Sequence, residues 1–222
     1  GDDAPMKDEP VEVDVGAVRL AGQVTVPEDC SGLVVFAHGS GSSRHSPRNR
    51  FVAAVLHEVG LGTLLFDLLT ASEETSRSAV FDIELLTARL GAVTRWLEAQ
   101  PEASGAHIGY FGASTGAAAA LAAAAEAGGK ISAVVSRGGR PDLAGSRLAE
   151  VQAPTLLIVG GDDTVVLELN RQAQRRLGAQ SELAVVPGAT HLFEEPGALE
   201  EVARLAGSWF LHHLAPVGQT TG

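Results

Sequence analysis

Few residues in this 222-residue chain could do covalent chemistry, and three of them fall in an informative order: Ser114, then Asp163, then His191. Ser114 lies in Gly112-Ala-Ser-Thr-Gly116, directly after an apolar run and directly before a run of alanines. Glycine on both sides of a serine suits a strand that turns into a helix too sharply to admit a β-carbon at either flank, leaving the hydroxyl raised at a sheet edge. Near neutral pH a serine hydroxyl is a poor nucleophile, so it needs a base to take its proton and return it to a leaving group, a task for His191. An acid must in turn fix one tautomer of the imidazole and stabilise the imidazolium. With 26 Gly in the chain the pattern alone is weak. Ser114 as a plain helix N-cap and His191 as an unpartnered turn histidine are the competing readings, and placement decides between them.

The elements that must position these residues follow from the hydropathy pattern. Alternation over 11–15 and 20–26 around Gly16 predicts an antiparallel hairpin at a sheet edge, ended by Pro27. Continuous apolar runs at 33–37, 61–66, 107–111, 131–135, 155–159 and 183–186 predict strands covered on both faces. Helices are predicted at about 47–59, at 83–97, where Ile83, Leu86, Leu90, Val93 and Leu97 keep helical spacing, and at 117–125, 165–177 and 198–214. Strands alternating with helices mean an α/β fold, a mostly parallel sheet with helices on both faces. Such sheets bind ligands beyond the carboxyl ends of their strands. Four polar clusters stand there: His38-Gly-Ser-Gly41, Ser114, Gly160-Gly-Asp-Asp163, and the turn ending in His191. Serine and acid are 49 positions apart, acid and histidine 28.

The segments HGSGSSRHSPRN, GASTG, SRGGRPDL, LLIVGGDD and GATHLF resemble the α/β-hydrolase superfamily, in particular its small, capless dienelactone-hydrolase-like branch, over about 11–214. The resemblance implies an α/β-hydrolase fold without a cap domain; length and composition predict one domain, over 11–215, with tails at 1–10 and 216–222. The resemblance also implies a serine-dependent hydrolase of small carboxylic esters, thioesters or lactones, working through an acyl-enzyme. In the family the triad carboxylate follows a glycine by three positions and precedes an apolar residue by three, which fits Gly160, Asp163 and Val166. Asp162 is the near rival and Asp142, after the 131–135 strand, a distant one. The oxyanion would meet the backbone N–H of Thr115 and that of Ser40, with Gly41 as the alternative. One departure matters: dienelactone hydrolases proper use a cysteine nucleophile, so Ser114 sets dienelactone itself aside as the expected substrate.

Other features bound the reading. A net charge of −11 with 5% aromatic residues argues against nucleic-acid binding. The single Cys30 excludes an intrachain disulfide framework, and cytoplasm is the expected compartment. No membrane span is expected, since Glu126 interrupts the alanine run. Neither zinc-like ligand spacing nor a phosphate-loop ending is present, so no metal and no cofactor is expected. The basic run 44–50 either receives a substrate carboxylate or phosphate, with Arg44, His45 and Gly41 as candidate binding residues, or is a solvated loop and helix start. His38 is expected to tie its loop down, and His57, His107, His212 and His213 to be surface or packing residues. Some twenty positions separate Val135 from Thr155, too few for a helical lid, so a shallow pocket for short acyl groups is expected. The expected partner is a small ester-type molecule, the expected assembly a monomer or homodimer. The rival functions are an acyltransferase with the same triad and a non-catalytic binding protein on a hydrolase fold.

Overall fold

A computed structural model describes residues 6–214 of the chain. Among the described residues, eight strands form one sheet. β1 (Met6–Asp14) and β2 (Arg19–Pro27) make the predicted edge hairpin, with Gly16 at φ +91° in its turn. Then follow β3 (Gly32–Ala37), α1 (Pro47–Glu58), β4 (Gly62–Phe66), two one-turn helices α2 (Ala71–Glu74) and α3 (Arg77–Val80), and α4 (Ile83–Glu98). The second half runs β5 (His107–Ala113), α5 (Thr115–Ala127), β6 (Ile131–Arg137), 3₁₀ turns over Pro141–Glu150, β7 (Thr155–Gly160), α6 (Thr164–Arg176), β8 (Ser181–Val186) and α7 (Ala198–His213). Spatial order is β1-β2-β4-β3-β5-β6-β7-β8, with β1, β2 and β4 joined antiparallel and the remaining pairs parallel.

Period-two alternation along the strands builds the two halves of the core. Leu33, Val35, Ile108 and Tyr110 face one side, against Leu90 and Val93 of α4 and the alanines of α5. Val34, Phe36 and Phe111 face the other, against Val52 and Leu56 of α1 and Val202 and Phe210 of α7. The alanine helix is buried along nearly its whole length, and its small side chains let it lie close on the sheet.

The expected tail over 1–10 is corrected for residues 6–10. Met6 to Pro10 continue β1, paired residue by residue with β2 from Met6 opposite Pro27 to Pro10 opposite Gln23. Backbone pairing overrides the polar composition there, and an edge strand tolerates the missing donor of Pro10. The rest of both predicted tails, 1–5 and 216–222, lies outside the described residues. Thr70 caps α2 with a complete capping box to Glu73, and Ser76 caps α3. Between β6 and β7 there are only 3₁₀ turns, so the strand ends stay uncapped.

Chain order reverses at β3, whose neighbours are β4 on one side and β5 on the other. The crevice beyond the ends of β3 and β5 is therefore the topological switch point of the sheet, where such folds bind ligands. It is closed tightly. A β-carbon on Gly116 would stand 2.2 Å from the Ala37 carbonyl oxygen and 2.6 Å from that of His38. Neither oxygen can yield without moving β3. Gly116→Ala is therefore expected to destabilise the protein by about 3 kcal/mol or more, lowering Tm by roughly 6–12 °C in a domain of this size. Calorimetry checks it, and a variant melting within about 2 °C of the wild type would contradict the close approach.

Candidate active site

The elbow is present in the backbone. Ser114, between β5 and α5, has φ +52° and ψ −122°, a conformation that non-glycine residues rarely hold and that recurs at functional sites. Its carbonyl accepts from the Arg140 N–H at 3.1 Å and the Ala117 N–H at 3.1 Å, which brace the turn. Gly39 lies against it, since a β-carbon there would be 3.1 Å from Ser114 Cβ. The N–H groups of Thr115 and Gly116 open helix α5 and have no partner within it. Among the described residues the N–H of Ser40 and that of Gly41 donate to nothing in the protein. Ser40 borders the cleft that holds Ser114, whereas Gly41 faces a neighbouring cavity.

His191 and Asp163 meet. His191 Nδ1 is 2.7 Å from Asp163 Oδ2, and the carboxylate side chain is only 13% exposed. What joins them is Gly160, whose absent side chain lets the end of β7 rest on the turn before His191; a β-carbon there would lie 2.3 Å from the Ala189 carbonyl oxygen. The Asp162 N–H donates to that oxygen at 3.0 Å, so Asp162 helps to fix the turn with its backbone while its side chain points to solvent. Asp142 is held by Arg140 through two bonds of 3.0 and 2.9 Å. Geometry thus favours Asp163 over both rivals. Beyond His191, the Glu195 carboxylate accepts from the N–H and hydroxyl of Thr190, and Phe193 sits at φ +55°, a second strained residue beside the site.

Ser114 and His191 line one cleft of about 220 Å³, with Ser40, Arg48, Arg137 and Leu192 among its walls. No hydrogen bond joins the Ser114 hydroxyl to the imidazole among the described residues, although both open into that space. An imidazole bound at Nδ1 by a carboxylate leaves Nε2 as an acceptor for a hydroxyl proton. A second cavity of about 200 Å³ adjoins the cleft across the 39–42 loop, walled by Leu69, Val80, Leu86 and Thr115.

Arg44 and His45, expected near the substrate, lie elsewhere. Asp67, just after β4, captures the backbone N–H and the guanidinium of Arg44, and His45 is paired with Arg50. Both line a cavity of about 580 Å³ over the β1-β2-β4 face, beside Asp8, Gln23 and His57. Two arginines line the Ser114 cleft: Arg48, which belongs to the basic run 44–50, and Arg137, which sequence reasoning does not single out. Arg137 carried a signal, a charge ending an apolar strand run in SRGGRPDL.

His38 is buried and ties its loop down, as expected: Nδ1–H donates to the Gly39 carbonyl at 2.8 Å and Nε2 accepts from the Leu68 N–H at 3.0 Å. Burial lowers its pKa below the usual histidine value of 6.5. The unfolded chain therefore binds the proton first, and the contribution of His38 to stability is present above pH 6.5 and is lost as pH falls below it. Burial also lowers the pKa of His57 and His213, so a comparison isolates His38. The stability difference between wild type and His38→Gln is expected to shrink between pH 7 and pH 5 in denaturant titrations; a constant difference would contradict the neutral, two-bonded imidazole.

The dienelactone hydrolase family profile matches residues 71–210, more than half of the chain. A Mycobacterium tuberculosis (strain H37Rv) protein provisionally named a phosphoribosyl transferase is 62% identical over 216 residues, covering 97% of this chain and 49% of that one. The chain thus spans about half the length of the curated relatives it matches. The crystal structure of dienelactone hydrolase from Anabaena variabilis superposes with a TM-score of 0.92 at 54% identity, covering 94% of this chain and 99% of the other. Est1E from Butyrivibrio proteoclasticus, at 17% identity and a TM-score of 0.78 over 92% and 98%, shares the fold. A profile match of that extent, on a mostly parallel eight-stranded sheet, establishes that the chain belongs to the dienelactone hydrolase family and has the α/β-hydrolase fold of a hydrolase.

Proposed function

We propose that this chain is a serine hydrolase of small carboxylic esters, thioesters or lactones, acting through an acyl-enzyme. Ser114 attacks the carbonyl, His191 carries its proton to the leaving group, and Asp163 orients the imidazole. The Thr115 and Ser40 N–H groups receive the oxyanion. The observation that carries this reading is the 2.7 Å contact between His191 and Asp163, made beside a serine held at positive φ in the same cleft. The cavity of about 200 Å³ behind the 39–42 loop suits a short acyl chain. A fluorophosphonate probe tests the reading: labelling of Ser114 at neutral pH, with turnover of acetyl and butyryl p-nitrophenyl esters above that of long-chain esters, is expected. Absence of label would overturn it.

The transferase name of the mycobacterial relatives supplies a second reading, phosphoribosyl transfer. It belongs to a chain of twice this length, and the family match over 71–210 favours hydrolysis for the portion spanned here.

A further inference from the structure

The cavity of about 580 Å³ beside the hairpin shares no wall residue with the cleft that holds Ser114. Its shape follows from strand alternation. One face of the hairpin carries Val11, Val13 and Val24 and packs into the core, while the other carries Asp8, Pro10 and Glu12 of β1 with Gln23 and Thr25 of β2, too polar for a helix to cover. The helices on that side, α1 and α7, pack instead on Val34, Phe36 and Phe111. The flank of α1 therefore becomes a wall of the groove, and its Ala53 and Ala54 are small enough to leave the space open. The volume falls in the range of sites that hold small molecules.

Its two ends are opposite in charge. Asp8 stands opposite Thr25, and Thr25 opposite Thr63, so one end is a row of polar side chains across three strands. The Asp8 carboxylate accepts from the Gln23 amide and, at 3.0 Å, from the Thr25 hydroxyl, and no cation pairs with it among the described residues. Thr63 is 1% exposed, and its hydroxyl meets His57 Nε2 at 2.7 Å. A buried hydroxyl needs an acceptor, so Thr63 donates there and the ring proton of His57 stands on Nδ1. The other end is cationic. There the Arg50 guanidinium donates to His45 Nδ1 at 3.2 Å, and Asp67 anchors Arg44. Among the described residues no carboxylate pairs with Arg50, while Glu12 has Arg19 at 3.6 Å. Arg50 and His57 are 57 − 50 = 7 positions apart on α1, about 10 Å of helix, which three extended residues of a peptide also span. We infer that this groove binds a short peptide of about three residues by its free ends, the ammonium at Asp8 and the carboxylate at Arg50 and Arg44. A peptide backbone brings its own N–H and C=O groups, and the Gln23 amide oxygen and His57 Nδ1–H are of the kinds that meet them. Binding here makes and breaks no bond, and it stands independently of the ester chemistry at Ser114.

The test is calorimetric titration of the wild-type chain with trialanine, N-acetyl-trialanine and trialanine amide. Trialanine is expected to bind with a Kd of about 1 mM or tighter, and each cap to weaken binding by roughly 10- to 100-fold, since each removes one charge-assisted contact. Asp8→Asn is expected to abolish the penalty of acetylation and keep that of amidation, and Arg50→Gln to do the converse. Arg50→Lys keeps part of the penalty of amidation, having the charge without the fork. Arg204→Gln, at an exposed arginine of α7, leaves all three affinities unchanged. Equal binding of free and capped peptides, no binding of trialanine, or penalties that persist in both variants would overturn the inference. Proton resonances of the histidine rings read the place of binding in the wild type without a variant. On addition of trialanine those of His57 are expected to shift and those of His191 to stay; movement of His191 with His57 unmoved would put the peptide in the Ser114 cleft and overturn the assignment to the groove.

Discussion

Replacing Ser114 by alanine is expected to lower kcat on a short-chain ester by on the order of 10⁶-fold, and replacing His191 by alanine to lower it comparably. In the proposed mechanism the two act as one unit, a nucleophile and the base that activates it, so the double variant should lose little more than either single one. Alanine keeps the backbone of the elbow at the same positive φ, so Tm should move by no more than about 2 °C and the loss is chemical. Steady-state and burst kinetics on a p-nitrophenyl ester measure it. Residual Ser114→Ala activity above about one part in a thousand of wild type would exceed what binding and oxyanion donors alone supply, and would point to another nucleophile.

Asp163→Asn is expected to cost about 10⁴ in kcat with little change in structure. The carboxylate accepts from Nδ1–H at 2.7 Å and so keeps the lone pair on Nε2, facing the cleft. An amide at the same place can donate to Nδ1 instead, which turns the imidazole to the tautomer that carries its proton on Nε2 and cannot receive another. Asp162→Asn, with its side chain in solvent, is expected to stay within about threefold of wild type. A reversal of the two effects would transfer the role to Asp162.

Much of this arrangement was legible because it depends on local chemistry that a linear sequence displays. The run 33–37 became β3, the run 155–159 became β7, and polar residues after apolar runs did mark the strand ends where Ser114, Asp163 and His191 stand. Where pairing or capture at a distance decides, the sequence was silent. Residues 6–10 are polar yet join the sheet because β2 offers them a register. Arg44 lies beside its glycine-serine loop in sequence, but Asp67, 23 positions away, fixes it to another face.

Each part of the site hangs from a different parallel strand: the serine from β5, the acid after β7, the histidine after β8. Parallel neighbours are joined by crossovers rather than tight turns, so the contact between Asp163 and His191 closes over 28 positions of chain. During synthesis the Ser114 hydroxyl emerges well before the His191 imidazole, so in the proposed mechanism an unfinished polypeptide carries a nucleophile without its base. The proposed hydrolytic competence therefore requires β8 and the turn after it to be in place, and a half-folded chain would have none of it.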